Sequence, residues 1–476
     1  MRPVETFWAD ASDIVHTTPY GAITGLAKDG VAVFRGIPYA EAPVGGLRFA
    51  APRRRAVAHD AGFDARAWGA TPQRVSPGFA MPEPSVPGDD ILNLNVFAPA
   101  GALGAGPALP VLVWIHGGGY QMGSAASNWY DGRAFARAGV VVVSISYRLG
   151  FAGFGDVADT MPDRGVLDWI AALGWVQDHI ASFGGDPARV TLSGQSAGGG
   201  AVLALLATRT ADGLFHRAWA LSGILESATP ATSRERSAAL AGALGAAGTR
   251  TADLAPFDDR AVETAGASLG MTPFLPVSGG TEFPDGIPAG LHASAGIPLV
   301  LGATADEMTW VPDESPVGRE DARRLLAGFG VATSDADEFF ARIPEHDLTR
   351  SRVLSEVLFR ACVVEVRRRR TPANTWVYDY RWGPAPRGAA LHCNEIPVFF
   401  GIADDPTAAS VLGDDIPEQV LHLHRDAVRF VHGEAPFASG PTGVHVYGDD
   451  AGDRYAIAAP LARRWKDPRE RARPGR

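Results

Sequence analysis

The stretch that decides the fold is Val190-Thr191-Leu192-Ser193-Gly194-Gln195-Ser196-Ala197-Gly198-Gly199-Gly200. It opens with a short apolar run, as a buried strand does, and residues 201–207 after it have the apolar character of a helix. Between the two stands a Gly-x-Ser-x-Gly pattern centred on Ser196. A sharp turn from strand to helix lifts a serine side chain clear of the backbone, close to the amides that open the helix. The stretch therefore predicts a nucleophilic serine at position 196.

A second glycine segment supports this interpretation. Gly-x-Ser-x-Gly alone is a weak signal, since 56 of the 476 residues are glycine and its plain alternative is a glycine-rich turn. However, His116-Gly117-Gly118-Gly119 follows a predicted buried strand at 109–115. Acyl transfer places negative charge on the substrate's carbonyl oxygen, and backbone amides can stabilise that charge where no side chain blocks the approach. We therefore expect an oxyanion hole made by the amides of Gly118, Gly119 and Ala197.

Working outward, the chain beyond residue 110 alternates strand and helix patterns. This alternation predicts an α/β fold with a large, mostly parallel central sheet flanked by helices. The N-terminal 110 residues contain short β-segments, and 91–97 among them alternates apolar and polar residues as a half-buried strand does. Helical and loop insertions are expected over the active site at about 230–295 and 310–370. With no repeat and no linker between independent cores, residues 1–476 are expected to form a single domain.

Composition excludes several classes of protein. The formal charge of −10 argues against a nucleic-acid surface as the main partner. Two cysteines are too few for a disulfide scaffold, the first 20 residues lack a leader pattern, and no apolar run reaches the roughly 18 residues that span a membrane. The expectation is a cytoplasmic protein with reduced thiols and no membrane partner, its oligomeric state left open.

Seven longer motifs resemble the type-B carboxylesterases, the family that includes the cholinesterases and has the α/β-hydrolase fold. The resemblance covers most of the chain, and its motifs include the two glycine segments. The motifs occupy residues 34–49, 92–96, 114–119, 146–150, 183–187, 194–199 and 214–218. The resemblance implies a serine esterase that acts on a small-molecule ester and needs no metal or organic cofactor.

The resemblance also implies a catalytic triad in the chain order serine, acid, histidine. The serine is Ser196, the acid is Glu307 and the base is His392. Asp306 precedes the acid, and an acidic residue at a strand end is also typical of a helix N-cap. His116 is a rival base on residue type alone, but it lies beside the proposed hole, where it more plausibly shapes the loop.

Further positions follow from the same resemblance. Ser222 corresponds to a buried serine behind the triad, while Arg48 with Asp89 and Arg148 with Asp168 correspond to structural salt bridges. At position 393, directly after the proposed base, the family commonly has glycine where this chain has cysteine. Several aromatic side chains are candidates for either a substrate pocket or ordinary core packing. They are Tyr120, Trp129, Tyr130, Phe274, Trp310, Phe399 and Phe400.

Three other functions remain compatible with the sequence. Carbamates, amides or thioesters would react through the same acyl intermediate. A non-catalytic binding module would have lost its triad, whereas serine, acid and histidine are all present here. A lipase that opens a lid at an oil interface would need a large amphipathic lid, and none stands out.

Overall fold

The computed structural model describes most of the chain. Described are residues 7–18, 21–55, 59–72, 81–106, 108–270, 272–310, 314–385, 388–413, 415–438, 443–449 and 453–465. Within these ranges, every helix falls short of the length or apolar character that crossing a bilayer requires.

A twisted sheet of 12 strands organises the described part of the chain. The strands are β1 Ser12–Thr18, β2 Gly21–Lys28, β3 Val31–Pro38, β4 His59–Asp64, β5 Asn93–Pro99, β6 Leu109–Ile115, β7 Val141–Ile145, β8 Gly185–Gln195, β9 Arg217–Leu221, β10 Leu299–Thr304, β11 Thr375–Tyr380 and β12 Val444–Tyr447. Their order is β1-β2-β3-β5-β7-β6-β8-β9-β10-β11-β12, with β4 paired to β2. Neighbours are antiparallel from β1 to β7 and parallel from β7 to β12. The predicted large, mostly parallel sheet is confirmed.

Helices cover both faces of this sheet. They are α1 Arg133–Arg137, α2 Gly150–Phe154, α3 Arg164–His179, α4 Ala197–Leu205, α5 Pro230–Leu244, α6 Thr251–Leu254, α7 Asp259–Ala267, α8 Ile287–Gly290, α9 Arg319–Gly328, α10 Thr333–Phe340, α11 Arg350–Leu354, α12 Ala361–Arg369, α13 Glu395–Phe399, α14 Pro406–Leu412, α15 Glu418–His432 and α16 Tyr455–Ala458. A six-residue π-helical turn, Ser355–Arg360, connects α11 to α12. Helices α5–α8 fall within the predicted insertion at 230–295, and α9–α12 fall within the one at 310–370.

The core lies on both sides of the sheet because the central strands are apolar on both faces. Along β6, Val111, Val113 and Ile115 join one buried cluster, and Leu112 and Trp114 join the other. This is the side-chain alternation of a strand, with neither face given to solvent, as parallel sheets covered by helices require. A third cluster fills the space between α9, α10, α11, the π-helical turn and the end of the described chain.

Strand β5 differs from its prediction as a half-buried strand. It lies inside the sheet between β3 and β7, and its residues from 93 to 98 are all buried. The polar positions are tolerated because their amides are satisfied internally. The Asn95 side chain donates to the Ala125 carbonyl at 3.1 Å and to Ser144 Oγ at 3.0 Å, and it accepts from the Gly36 amide at 3.0 Å. Alternating polarity therefore marked buried hydrogen bonds here instead of a solvated face.

Of the two salt bridges expected from the resemblance, one forms. Arg148 binds Asp168 through two nitrogens, Nε at 2.9 Å and Nη2 at 2.7 Å, and both side chains are buried. The pairing of Arg48 with Asp89 was wrong. Arg48 binds Asp259 on α7 at 2.7 Å instead, and Asp89 is exposed. Arg48 thus ties the N-terminal segment to α7.

Candidate active site

The candidate catalytic residues follow strands that end at the same edge of the sheet. The chain leaves β6 into 116–119, β8 into Ser196, β9 into Ser222 and β10 into the pair 306–307. Because these strands are parallel neighbours, their carboxyl ends meet at one edge, where ligands bind in open α/β sheets. The loop after β11 brings His392 to the same place, since its side chain contacts Glu307.

Ser196 stands on the predicted turn from strand to helix, between the end of β8 and the start of α4. Its backbone angles are φ 59° and ψ −122°, a region that residues other than glycine rarely adopt. The turn is held by the Ser196 amide, which donates to the Leu221 carbonyl at 2.9 Å, and by the Ser196 carbonyl, which accepts from Gly200 at 2.8 Å. Residues 190–195 and 197–205 are buried, whereas Ser196 is half-buried. The turn therefore exposes this one side chain of the segment.

Glycines allow the loop 116–119 to pack directly on the serine turn. A Cβ at Gly117 would lie 2.7 Å from the Gln195 carbonyl oxygen and 3.0 Å from Ser196 Cβ. A Cβ at Gly198 would lie 2.0 Å from the Ile115 carbonyl oxygen. Contacts this short do not occur for real Cβ atoms, so both positions require glycine for this packing. The loop backbone and the nucleophile are thus in direct contact.

The three amides expected to bind an oxyanion are available for a ligand. Gly118 and Gly119 have φ of 107° and 63°, and both conformations favour glycine. Across the described residues, the amides of Gly118, Gly119 and Ala197 donate to no protein acceptor. Gly118 and Gly119 are partly exposed and Ala197 is buried, so the segment beside the serine turn presents three amides without a protein acceptor.

His116 has a structural role in this loop. It is fully buried, its ring stacks on Tyr147 with the centroids 4.5 Å apart, and its Nδ1 lies 2.8 Å from the Gly117 carbonyl oxygen. The Tyr147 hydroxyl also donates to the His116 carbonyl at 3.0 Å. These contacts favour His116 as the residue that shapes the loop and do not favour it as the base.

Glu307 and His392 are paired. Glu307 Oε2 is hydrogen-bonded to His392 Nδ1, and Glu307 Oε1 accepts from the Thr304 amide at 2.7 Å. Glu307 is fully buried and the His392 side chain is 11% exposed. Because the carboxylate occupies Nδ1, proton transfer is left to His392 Nε2, whose neighbour is the Gln195 amide at 3.3 Å. Within the described ranges, no hydrogen bond of 3.5 Å or less joins Ser196 to His392. In enzymes without substrate, the distance between nucleophile and base is often long and shortens when substrate binds.

The charges around His392 favour its protonated form. Burial alone would lower the pKa of His392, but the charge and hydrogen bond of Glu307, with the charge of Glu395, outweigh burial and raise this pKa above its usual value. A raised pKa makes the imidazole a stronger base and stabilises the imidazolium that a Ser-His-acid mechanism forms.

Asp306 does not cap a helix, because turns follow it in the chain. Its Oδ2 accepts from the Ala390 amide at 3.1 Å, and its own amide donates to the Ala390 carbonyl at 3.0 Å. The His392 amide likewise donates to the Glu307 carbonyl at 3.2 Å. Asp306 therefore fastens the loop that carries the acid to the loop that carries the histidine.

Ser222 has a partner that the sequence did not indicate. Its hydroxyl donates to Glu395 Oε1 at 3.0 Å, and both residues are fully buried. Burial, together with the negative charge of Glu307, raises the pKa of Glu395 to about 7. Glu395 lies three residues after His392, so its position in the chain was the only available sign of a role.

Gln195 and Cys393 flank the imidazole. Gln195 Nε2 lies 3.3 Å from His392 Nε2 and 3.4 Å from Nδ1, which places the amide over the ring face. The Cys393 thiol donates to Gln195 Oε1 at 3.6 Å. Burial, with the charges of Glu395 and Glu307, raises the pKa of this thiol, so it stays protonated and can donate. Cys393 has φ 76°, the conformation for which glycine is suited.

The candidate aromatic residues belong mainly to the core. Six of the seven are buried, namely Tyr120, Trp129, Tyr130, Phe274, Phe399 and Phe400. Phe359, which is not one of these seven, does reach the site: its ring centroid lies 4.8 Å from that of His392.

In the part of the chain that the structure describes, no three His, Cys, Asp or Glu side chains are grouped as a metal site requires.

Comparison with known proteins places the chain in a family. The sequence profile of the Carboxylesterase family matches residues 12–404. The chain is 33% identical to the para-nitrobenzyl esterase of Bacillus subtilis (strain 168), over 86% of this chain and 88% of that one. It is 34% identical to the phenmedipham hydrolase of Pseudarthrobacter oxydans, over 94% and 97% of the two chains.

Solved structures agree. A PNB esterase superposes with a TM-score of 0.80 at 29% sequence identity, over 90% of this chain and 92% of that one. The chain therefore belongs to the carboxylesterase family, as its motifs suggested, and is a carboxylic ester hydrolase with an α/β-hydrolase fold.

Proposed function

We propose that the protein hydrolyses carboxylic esters through an acyl-enzyme intermediate, with Ser196 as nucleophile, His392 as general base and Glu307 as the acid that orients it. The observation that carries the proposal is the meeting of two features at one sheet edge. These are a half-exposed serine on a strained turn and a histidine whose Nδ1 is bound by a buried carboxylate. Glu307 is the neighbour that a general base requires, and Ser196 lies at the same edge of the sheet as this pair.

The proposed reaction has two halves. His392 Nε2 takes the proton from Ser196 Oγ as this oxygen attacks the ester carbon, and the amides of Gly118, Gly119 and Ala197 hold the oxyanion. His392 then gives the proton to the leaving alcohol. Water attacks the acyl-enzyme in the same way, releases the carboxylic acid and returns the proton to Ser196. None of these steps calls on a metal or organic cofactor.

The first test is Ser196→Ala, with Ser410→Ala as the matched control because Ser410 is an exposed helix serine. Ser196→Ala should lower kcat on a p-nitrophenyl ester by roughly 10⁶-fold with the unfolding midpoint unchanged. Ser410→Ala should match wild type. A fluorophosphonate should label wild type and Ser410→Ala once per chain, at Ser196. A non-catalytic binding module would show neither labelling nor turnover, and full activity in Ser196→Ala would refute the assignment of the nucleophile.

The kind of acyl bond is a second question. Carbamates, amides and thioesters pass through the same acyl intermediate, and two relatives carry names that specify their substrates, a phenmedipham hydrolase and a fatty acyl-CoA hydrolase precursor. A panel that varies acyl length, alcohol size and the scissile bond should give its highest kcat/KM on simple esters. A higher value on any other bond would replace the ester as the preferred substrate.

The proposed setting is cytoplasmic. Both cysteines are free, and Cys362 is buried, which is compatible with a reducing compartment.

A further inference from the structure

Within the described part of the 310–370 insertion, the π-helical turn Ser355–Arg360 brings side chains to the proposed triad from behind. Its backbone is an interruption between two α-helices, α11 and α12. Such interruptions are rare and often occur at functional sites. Three of its six side chains contact either His392 or the backbone on either side of Glu307.

The first two contacts fix the backbone on either side of Glu307. Ser355 Oγ accepts from the Met308 amide at 3.0 Å and donates to the Ser351 carbonyl at 2.8 Å. Arg360 Nη2 donates to the carbonyls of Thr304 at 3.0 Å and Ala305 at 2.8 Å. The segment 304–308 is thus held at both ends by one helical turn, with the acid between the two attachments.

The third contact is with the base itself. Phe359 packs its ring against the imidazole of His392, with the planes inclined by 48°. The Gln195 amide lies over the same imidazole, and Glu307 holds its Nδ1. Phe359 therefore helps to fix the orientation of the imidazole ring, and with it the direction of His392 Nε2.

The widened turn brings these three side chains to one face. In an α-helix, with roughly 100° of rotation per residue, Arg360 would lie about 140° around the axis from Ser355. The wider π turn rotates by roughly 80° per residue, which reduces this angle to about 40°. Meanwhile Val357 and Ala361 still pack in the third core cluster, away from the site. The π turn thus places Ser355, Phe359 and Arg360 toward the triad while Val357 packs in the third core cluster, an arrangement that a regular α-helix would not give.

Charge balance keeps Arg360 in place although it is fully buried. Its Nη1 donates to Glu356 at 3.0 Å, and Asp379 lies 3.8 Å from Nη2. Each of these carboxylates has a second arginine, Arg352 for Glu356 at 2.8 Å and Arg381 for Asp379 at 2.9 Å. The guanidinium can therefore donate to uncharged carbonyls without being needed as the sole counter-ion of either carboxylate.

We propose that the π-helical turn is a positioning element, in which Arg360 and Ser355 hold the Glu307 segment and Phe359 holds the plane of His392. This inference rests on the triad proposed above and adds residues that act through Glu307 and His392 without touching the substrate. It assigns a task to a segment of the insertion that no sequence motif marks.

The decisive variant is Arg360→Lys, because lysine keeps the charge but cannot donate to two carbonyls and a carboxylate in the same planar arrangement. We expect kcat to fall about tenfold, in the range that a small misplacement of catalytic groups causes, with KM unchanged. The acid limb of the kcat/KM profile should move to lower pH, because the Glu307 contact that raises the pKa of His392 is loosened. Arg352→Lys is the control, since Arg352 binds the same Glu356 but makes no contact with 304–308.

A double-variant comparison separates positioning from general stability. If Arg360 acts through Glu307, Arg360→Lys should lower kcat little further in a Glu307→Gln background. Ser355→Ala removes a single hydrogen bond, so it should fold even if Arg360→Lys does not, and it should shift kcat and the acid limb in the same direction by a smaller amount. A wild-type kcat and pH profile in folded Arg360→Lys would overturn the inference while leaving the triad intact. If Arg360→Lys does not fold, the same result in Ser355→Ala would overturn it. Full activity in Ser196→Ala would overturn both.

Discussion

Backbone strain is concentrated around the candidate site, because four of the six described non-glycine residues with positive φ lie in it or next to it. Non-glycine residues with positive φ include Tyr120 at 62°, Ser196 at 59°, Ser222 at 44° and Cys393 at 76°. Each follows a strand or loop that ends at the candidate site. Such conformations cost of order 1–3 kcal/mol each and persist only where the surroundings impose them. These conformations lower the free energy of unfolding, and they fix the directions in which the four side chains point.

The two acidic residues at 306 and 307 can be separated by isosteric substitution. Glu307→Gln should lower kcat by roughly 10³–10⁴-fold, because the neutral amide no longer stabilises the imidazolium of His392. Asp306→Asn is the matched control. Its remaining side-chain oxygen can still accept from the Ala390 amide, so kcat should stay near wild type. Initial rates on a p-nitrophenyl ester measure both, and the opposite ranking would exchange the two roles.

The same pair predicts a pH dependence. The base must be neutral to accept a proton, so kcat/KM should fall as the pH drops through the raised pKa of His392, above the usual value of about 6.5. In Glu307→Gln the raising charge is lost, and the acid limb should therefore move to lower pH. In Asp306→Asn the limb should not move. A limb that stays fixed in Glu307→Gln would mean that this carboxylate does not set the pKa of His392.

At the scale of elements, the contact between the loop 116–119 and the serine turn leaves no room for an added methyl group. Gly117→Ala would bring a methyl group 2.7 Å from the Gln195 carbonyl oxygen, so loop and turn must separate. We expect kcat to fall roughly 100-fold through displaced amides. Gly242→Ala, on the exposed side of α5 with no atom within 4 Å of the added methyl, should keep wild-type kcat. Steady-state kinetics compare them, and equal kcat values would show that the loop tolerates displacement.

Sequence patterns predicted regular strands and helices but did not predict the π-helical turn. The buried strand β6 was recognisable because both of its faces are apolar, and β8 because a short apolar run precedes the Gly-x-Ser-x-Gly pattern. The π-helical turn has no such signature, since Ser355, Phe359 and Arg360 fit an ordinary amphipathic helix. Arg360 in particular has the residue type of a solvated position, yet it is fully buried. Only the tertiary arrangement of Glu356, Asp379 and two carbonyls makes that burial favourable.

At the scale of the molecule, the buried pair Arg148–Asp168 joins distant parts of the chain. Arg148 follows β7, Asp168 lies on α3, and Arg148 Nη1 also donates to the Ala50 carbonyl at 2.6 Å. Asp168→Asn should cost about 3–5 kcal/mol of unfolding free energy, because a buried guanidinium loses its counter-ion. Asp178→Asn removes the partner of the exposed Arg54 from the same helix and should cost less than about 1 kcal/mol. Urea denaturation gives both values, and similar losses would contradict the argument from burial.

The sequence contained enough to predict the sheet and the candidate site residues, and less about what surrounds them. The motif residues lie at strand ends, where parallel topology alone brings them together. What surrounds them depends on contacts between segments remote in the chain, such as Arg48 with Asp259, 211 residues away, and Ser222 with Glu395, 173 residues away. Neither Asp259 nor Glu395 stands in a pattern that periodicity or composition could detect. The resemblance therefore predicted the wrong partner for Arg48, and nothing in the sequence predicted the partner of Ser222.

With Ser196 as the proposed nucleophile, its reactivity depends on the left-handed backbone conformation that only the folded chain imposes. In an unfolded or misfolded chain the turn relaxes and Ser196 becomes one ordinary serine among many, inert toward a slow acylating reagent. The stoichiometry of a single acylation burst would then count intact molecules in a preparation, independent of total protein. Refolded, aged or heat-stressed samples could be compared on that absolute scale before any rate is interpreted.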